Sequence, residues 1–241
     1  MNGSAIGRKI LVGLLKFAAG FFILTMVWVI LYGWINPPVT ATMISRKLTA
    51  GSEGKPKTLA RKWVNYENIS PYMVLAVIAT EDQNFLQHRG FDFEAIEKAM
   101  EHNQQQANAK RKRLKGASTI SQQVAKNVFL WEQRSWLRKG LEAYFTILIE
   151  LLWSKKRIME VYLNVAETGN MCFGVEGAAN KYFEKKAASL TKEQAALIAS
   201  VLPNPRRSNL AKPNKQMLER KAWAMRQMNY LGDVEILKAM K

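Results

Sequence analysis

The chain is poor in the residues that stabilise small scaffolds. Cys172 is its single cysteine, so no intrachain disulfide can form, and neither a disulfide framework nor a zinc-finger cluster is available. Two histidines, His88 and His102, are too few for a histidine-rich metal centre. Acidic residues are scarce beside basic ones, 19 against 36, which leaves a formal charge of +17. Such an excess says little about fold but points to an anionic partner: nucleic acid, an anionic membrane surface or a phosphorylated substrate. Alternating strand patterns are scarce too, and no internal repeat is evident. What is present is 48% hydrophobic and 23% charged residues, the balance of a folded protein. A length of 241 residues suits one large domain or two small ones.

Charge is missing altogether from Phe17 to Ser45. Phe17–Ile35 is nearly all apolar, and as a helix it spans about 28 Å, close to the ~30 Å hydrocarbon core of a bilayer. Trp28, Tyr32 and Trp34 sit where an interfacial aromatic belt would lie. Asn36-Pro37-Pro38 then stops the helix, because proline lacks the amide donor. A cleaved signal peptide would carry a shorter apolar run and an A-x-A-like site, and a core helix would show a polar face. Neither is found, so the segment reads as one membrane anchor. Arg8, Lys9 and Lys16 on one side nearly balance Arg46 and Lys47 on the other, so charge does not decide orientation. The expected organisation is a short tail and anchor over 1–45 (helix about 12–35), a linker and membrane-proximal segment over 46–65, and one mostly α domain over 66–241. Thr49–Thr58 reads as the polar linker. Ser70-Pro71, Ser135, Ser154, Thr191 and Asn214 are expected to start helices, Thr191 with a capping box to Gln194.

Three clusters carry chemistry. On an expected helix Pro71–Phe85, Val74, Val77 and Ile78 form an i, i+3, i+4 stripe whose next position is Glu81. Burial there would raise the carboxyl pKa and suit it to general acid or base work. The plainer reading is a glutamate paired with Arg89 or a lysine. Asp82, Phe85 and His88 flank it, and His88 reads first as a packing histidine. In the second cluster, Ser118 or Thr119 can cap a helix from which Gln122, Gln123 and Lys126 project. The amides suit sugar hydroxyls; the plainer reading is a solvated helix after the basic loop Lys110–Lys115. The third holds Arg134, Arg138, Lys139 and Glu142. It is either a surface ion-pair set or a pyrophosphate pocket in which cations neutralise a leaving group.

In this order the motifs resemble the glycosyltransferase family 51 of bacterial cell-wall synthesis. Glu81-Asp-Gln-Asn-Phe85-Leu-Gln-His88-Arg-Gly90 is similar to E-D-x-x-F-x-x-H-x-G, and Gly116-Ala-Ser-Thr-Ile-Ser-Gln-Gln123 to G-G-S-T-I-[ST]-Q-Q. Arg138-Lys139-Gly-Leu-Glu142 matches R-K-x-x-E. Lys156-Arg-Ile158-Met-Glu160-Val-Tyr162-Leu163-Asn164 and Gly177-Ala-Ala-Asn-Lys-Tyr182-Phe183-Glu-Lys185 resemble two further elements. Ala117 and Met159 are small departures, and Leu141 stands where some members carry a lysine. With no S-x-x-K after these motifs, a monofunctional member without a transpeptidase domain is expected.

The resemblance implies a lysozyme-like α-helical domain behind a single transmembrane helix. It implies an enzyme that polymerises lipid II, an undecaprenyl-pyrophosphoryl disaccharide-pentapeptide. Glu81 and Glu142 would be catalytic, and Ser118, Gln122, Gln123, Lys126, Arg134, Arg138 and Lys139 would bind substrate. Asp82, Phe85 and His88 would support the motif. No cofactor is required, although Mg2+ or Mn2+ at the donor pyrophosphate is compatible. The implied partners are lipid II, the growing glycan strand and membrane lipids, with other cell-wall synthesis or division proteins left open and nucleic acid excluded. The implied location is the inner membrane, with the N-terminus cytoplasmic and the domain periplasmic. The Lys110–Lys115 loop and Trp63 are expected to dock the domain on the membrane. The rival readings are a membrane-tethered nucleic-acid-binding protein, motivated by the charge, and a lysozyme-like hydrolase.

Overall fold

A computed structural model describes residues 3–54, 58–106 and 116–232. Among these, ten α-helices follow in order: α1 Gly3–Trp34, α2 Ala41–Ser52, α3 Pro71–Glu81, α4 Phe93–Gln105, α5 Ile120–Phe129, α6 Trp136–Leu152, α7 Lys155–Val165, α8 Val175–Phe183, α9 Lys192–Val201 and α10 Lys215–Tyr230. One small antiparallel hairpin, β1 Glu167–Gly169 with β2 Cys172–Phe173, lies between α7 and α8. The mostly α expectation therefore holds.

α3 is the centre of the domain. Met73 to Ala79 are all buried, with α9 and α10 packed against the helix. Apolar residues all round a helix demand cover on every side. α5 lies between α6 and α7, and α6 also receives α1. The expected starts at Ser135, Ser154, Thr191 and Asn214 are N-caps whose side chains accept the amide N–H three residues on. Thr191 and Gln194 form the reciprocal box. Ser70 differs: its hydroxyl donates to the Leu190 carbonyl at 2.8 Å, tying α3 to the segment before α9.

Three expectations need correction. α1 begins at Gly3, not near residue 12. The segment 46–65 is not a free linker. Thr49–Ser52 form the last turn of α2, Arg46 bonds Glu167, and Ala60 exchanges backbone bonds with Met171 and Phe173 at 2.9 Å. The helix expected to Phe85 stops at Glu81, because Asp82 leaves helical geometry and its carboxylate is held elsewhere. The Trp63 ring is half-buried, with the Arg61 and Arg157 guanidiniums 5.7 and 5.5 Å from its centroid. The Lys110–Lys115 loop lies outside the described residues.

α1 is the one helix, among the described residues, long and apolar enough to cross a membrane. Its C-terminal half rests on the domain. Thr25 Oγ1 meets Tyr144 OH at 2.7 Å, Trp28 packs edge-on to Phe129 and Phe145, and Trp153 Nε1 donates to the Val29 carbonyl at 2.8 Å. Arg157 then caps the end of α1 through the Tyr32 and Ile35 carbonyls.

Candidate active site

A turn from Asp82 to Gly90 links α3 to α4 and is held on the N-terminus of α5. The Asp82 carboxylate accepts the Ile120 N–H at 2.9 Å, where the helix dipole favours negative charge. It also faces His88 Nε2 at 2.9 Å, while His88 Nδ1 accepts the Gly90 N–H at 3.1 Å. These bonds place the ring proton on Nε2 and occupy both nitrogens, so the histidine packs and positions. Thr119, the N-cap of α5, donates to the Gly90 carbonyl at 2.7 Å and forms a capping box with Gln122. One turn further, Gln123 Nε2 donates to Glu81 Oε2 at 2.9 Å.

A cavity of about 900 Å³ opens beside this junction. Its wall includes Ser118, Gln122, Gln123, Lys126, Arg134, Arg138, Lys139 and Glu142, all expected as site residues. Glu81 is not itself in that wall; Gln123 and Tyr162 are, and Glu81 stands behind Gln123. Asp82, Phe85 and His88 form the turn that carries Glu81, and Phe85 is fully buried. Burial pushes the Glu81 carboxyl above the ordinary carboxylate range. The Gln123 bond and the Lys126 charge oppose that rise, and Asp82 adds to it. The Arg89 partner of the plainer reading is not found: among the described residues, Glu81 makes no ion pair.

The other cations gather around Glu142. Arg138 bonds one of its oxygens at 3.0 Å and Lys139 the other at 2.5 Å. Their i,i+4 and i,i+3 spacing is the one the sequence suggested, but Arg138 and Glu142 are buried, so this is no surface pair. Arg138 Nε is buried without a partner among the described residues. Lys126 makes no hydrogen bond or ion pair among those residues. Burial lowers its ammonium pKa, Glu142 and Glu81 counter that, and Arg138 and Lys139 reinforce it. The wall thus offers Lys126, Arg134 and the free edges of Arg138 and Lys139 to an anion. No group of three metal-ligating side chains occurs among the described residues, and both Glu142 oxygens are committed to cations. The donor set does not fit a resident divalent ion.

Some lining residues were not anticipated. Tyr162 is buried, its phenol pushed well above the usual range by burial and by Glu81 and Asp82, and its OH reaches Gln123 Oε1 at 3.4 Å. It stood inside a motif, but the sequence did not say which face of α7 would meet the site. Thr42, Glu132, Glu167, Arg206 and Arg207 also line the cavity. Arg46 to Glu167 at 3.1 Å and Arg206 to Glu132 at 2.9 Å tie α2, β1 and the Pro205–Arg207 turn into that rim. They come from distant segments, and no local pattern marks them. Gln122 has less freedom than expected, since its Oε1 accepts the Thr119 N–H at 3.0 Å.

The chain is similar to known proteins over most of its length. A biosynthetic peptidoglycan transglycosylase of Shigella boydii is 54% identical over 196 residues, covering 81% of this chain and 79% of the relative. One from Pseudomonas putida is 47% identical over 229 residues, 95% of this chain and 93% of the relative. The transglycosylase family model matches residues 48–229, from the end of α2 into α10 and across every cavity-lining residue but Thr42, and the chain belongs to that family.

Proposed function

We propose that this chain, a peptidoglycan glycosyltransferase, polymerises lipid II. The supporting observation is a half-buried carboxylate, Glu81, bonded to a side chain of a cavity whose wall also holds six basic residues, Lys126, Arg134, Arg138 and Lys139 among them. Glu81 takes the proton from the acceptor sugar's 4-hydroxyl as that oxygen attacks the donor's anomeric carbon. The α-linked lipid pyrophosphate leaves from the opposite face, so the new link is β1→4 with inversion and undecaprenyl pyrophosphate is released. Lys126, Arg134, Arg138 and Lys139 stabilise charge on the departing pyrophosphate, and Glu142 holds two of them in place. Gln123 and Ser118 meet sugar hydroxyls at the wall.

The substrate's lipid tail stays in the bilayer, since exposing each CH₂ costs ~0.8 kcal/mol. On this reading α1 spans the inner membrane with its N-terminus cytoplasmic and the domain periplasmic. The growing strand and membrane lipids are then its partners. The test is polymerisation of labelled lipid II by the full-length protein, resolved by glycan length. Glu81→Gln keeps size and hydrogen bonding but cannot accept a proton, and should lose about 10²–10⁴-fold in turnover. Wild-type turnover in that variant would remove Glu81 from the chemistry.

A further inference from the structure

A buried ion pair behind the cavity has no part in the chemistry above. Glu150 of α6 and Lys155 at the start of α7 meet at 2.8 Å, with side chains 7% and 22% exposed. Taking two charges out of water costs several kcal/mol, so such a pair is weak evidence of stability. What it touches is informative. Lys155 Nζ also donates to the His88 carbonyl at 2.7 Å and lies 4.6 Å from the Phe85 ring centroid. Glu150 accepts from Ser121 Oγ on the first turn of α5. Gly90 is pressed on α6 beside this pair: a Cβ there would meet Thr146 Cγ2 at 2.8 Å and Glu150 Cγ at 3.1 Å.

These contacts form one chain of bonds. Lys155 holds the His88 backbone; the His88 ring holds Asp82; Asp82 holds Ile120 N–H at the head of α5; Gln123, on the same helix, holds Glu81. A tetrahedral ammonium suits the junction, since its donors reach a carboxylate and a carbonyl while another face lies on a ring. We propose that Lys155, seated by Glu150, is a positioning residue that fixes the 82–90 turn and, through His88 and Asp82, the placement of Glu81 against Gln123. The proposal rests on the reading of Glu81 as general base.

The experiment is steady-state polymerisation of lipid II by full-length variants, with Glu81→Gln in the same series. Small misplacements of a reacting group cost up to about 10²-fold. Lys155→Met should therefore lower kcat about 10- to 100-fold and leave KM within about twofold. The double variant Glu150→Gln/Lys155→Met removes both buried charges. It should regain melting temperature over the single variant yet stay slow, because the His88 carbonyl is still unheld. Lys155→Cys treated with bromoethylamine rebuilds an ammonium on a nearly isosteric arm and should regain turnover; Cys172 is fully buried, and the untreated and treated parent proteins serve as controls. Wild-type kcat in the double variant would show that Lys155 only neutralises Glu150, and would overturn the proposal. So would a loss confined to KM. If Glu81→Gln is inactive while the Lys155 variants turn over normally, the positioning role fails alone. If Glu81→Gln is fully active, the base assignment fails and the positioning role goes with it.

Discussion

Glu81 and Lys126 are displaced in opposite directions by the same cause. Burial raises the Glu81 carboxyl and lowers the Lys126 ammonium, and each charge partly offsets the shift of the other. The base form of Glu81 therefore appears only above the ordinary carboxylate range, and the Lys126 charge is lost below the ordinary lysine range. The free-enzyme profile of kcat/KM against pH should be a bell narrowed from both sides. Lys126→Arg keeps its charge at all working pH and should move the alkaline limb upward while leaving the acid limb in place. An unmoved alkaline limb would assign that limb to another group. The Glu81 shift also bears on stability. A carboxyl raised by folding binds its proton more readily folded than unfolded, so it favours the fold at low pH and costs stability above its raised pKa. Glu81→Gln should then raise the melting temperature near pH 8 while it slows turnover about 10²–10⁴-fold; a lower melting temperature would contradict the burial argument. Glu81 was legible because it continued an apolar stripe at i+7. Tyr162 was not, because its position in a motif did not reveal which neighbours would surround it.

Helix starts were legible at Ser135, Ser154, Thr191 and Asn214, because the cap is a bond between residues three apart, although the Thr40 and Asp92 caps of α2 and α4 were missed. Helix ends were less so. α3 carries a pattern that could run to Phe85, but Asp82 gains more by accepting from Ile120 and His88 than by continuing the helix. Those partners are 38 and 6 residues away, and the first of them is invisible to a local window. α2 is the converse. Its Ser, Thr and Gly content reads as linker, yet the Thr40 cap and the contacts of Thr42 with Asn127 and Arg46 with Glu167 hold it as a helix. The turn between α3 and α4 can be tested at Gly90, which has φ of +90° and no room for a Cβ. Gly90→Ala should cost about 1–3 kcal/mol from the backbone conformation alone, before the clash with Thr146 is added. Urea unfolding measures it, and a loss below 0.5 kcal/mol would mean that the turn relaxes freely.

At the scale of the molecule, the apolar N-terminal helix α1 packs on the domain. The apolar run was plain in the sequence; its packing was not, because Tyr144, Phe145, Trp153 and Arg157 stand more than a hundred residues away. On the membrane reading, a helix of 32 residues, about 48 Å long, exceeds the ~30 Å hydrocarbon core, and part of α1 stands outside it. Thr25 meets Tyr144 near the middle of α6 and Val29 meets Trp153 at its end, so α6 runs in the same general sense as α1. The cavity cations Arg138 and Lys139 sit at the N-terminal end of α6, beside Trp136 and Leu137, which are 93% and 69% exposed. On the membrane reading, α1 therefore sets both the height and the tilt at which these cations meet a lipid pyrophosphate. Replacing residues 10–34 with an unrelated apolar helix of equal length keeps attachment but discards the Thr25, Trp28 and Gly33 contacts. The swapped protein should float with vesicles as the wild type does, yet melt at lower temperature and polymerise bilayer-embedded lipid II about tenfold or more slowly. Restoring Thr25, Trp28 and Gly33 on the foreign helix should recover much of both losses. Equal rates for the swapped and native proteins would reduce α1 to an address.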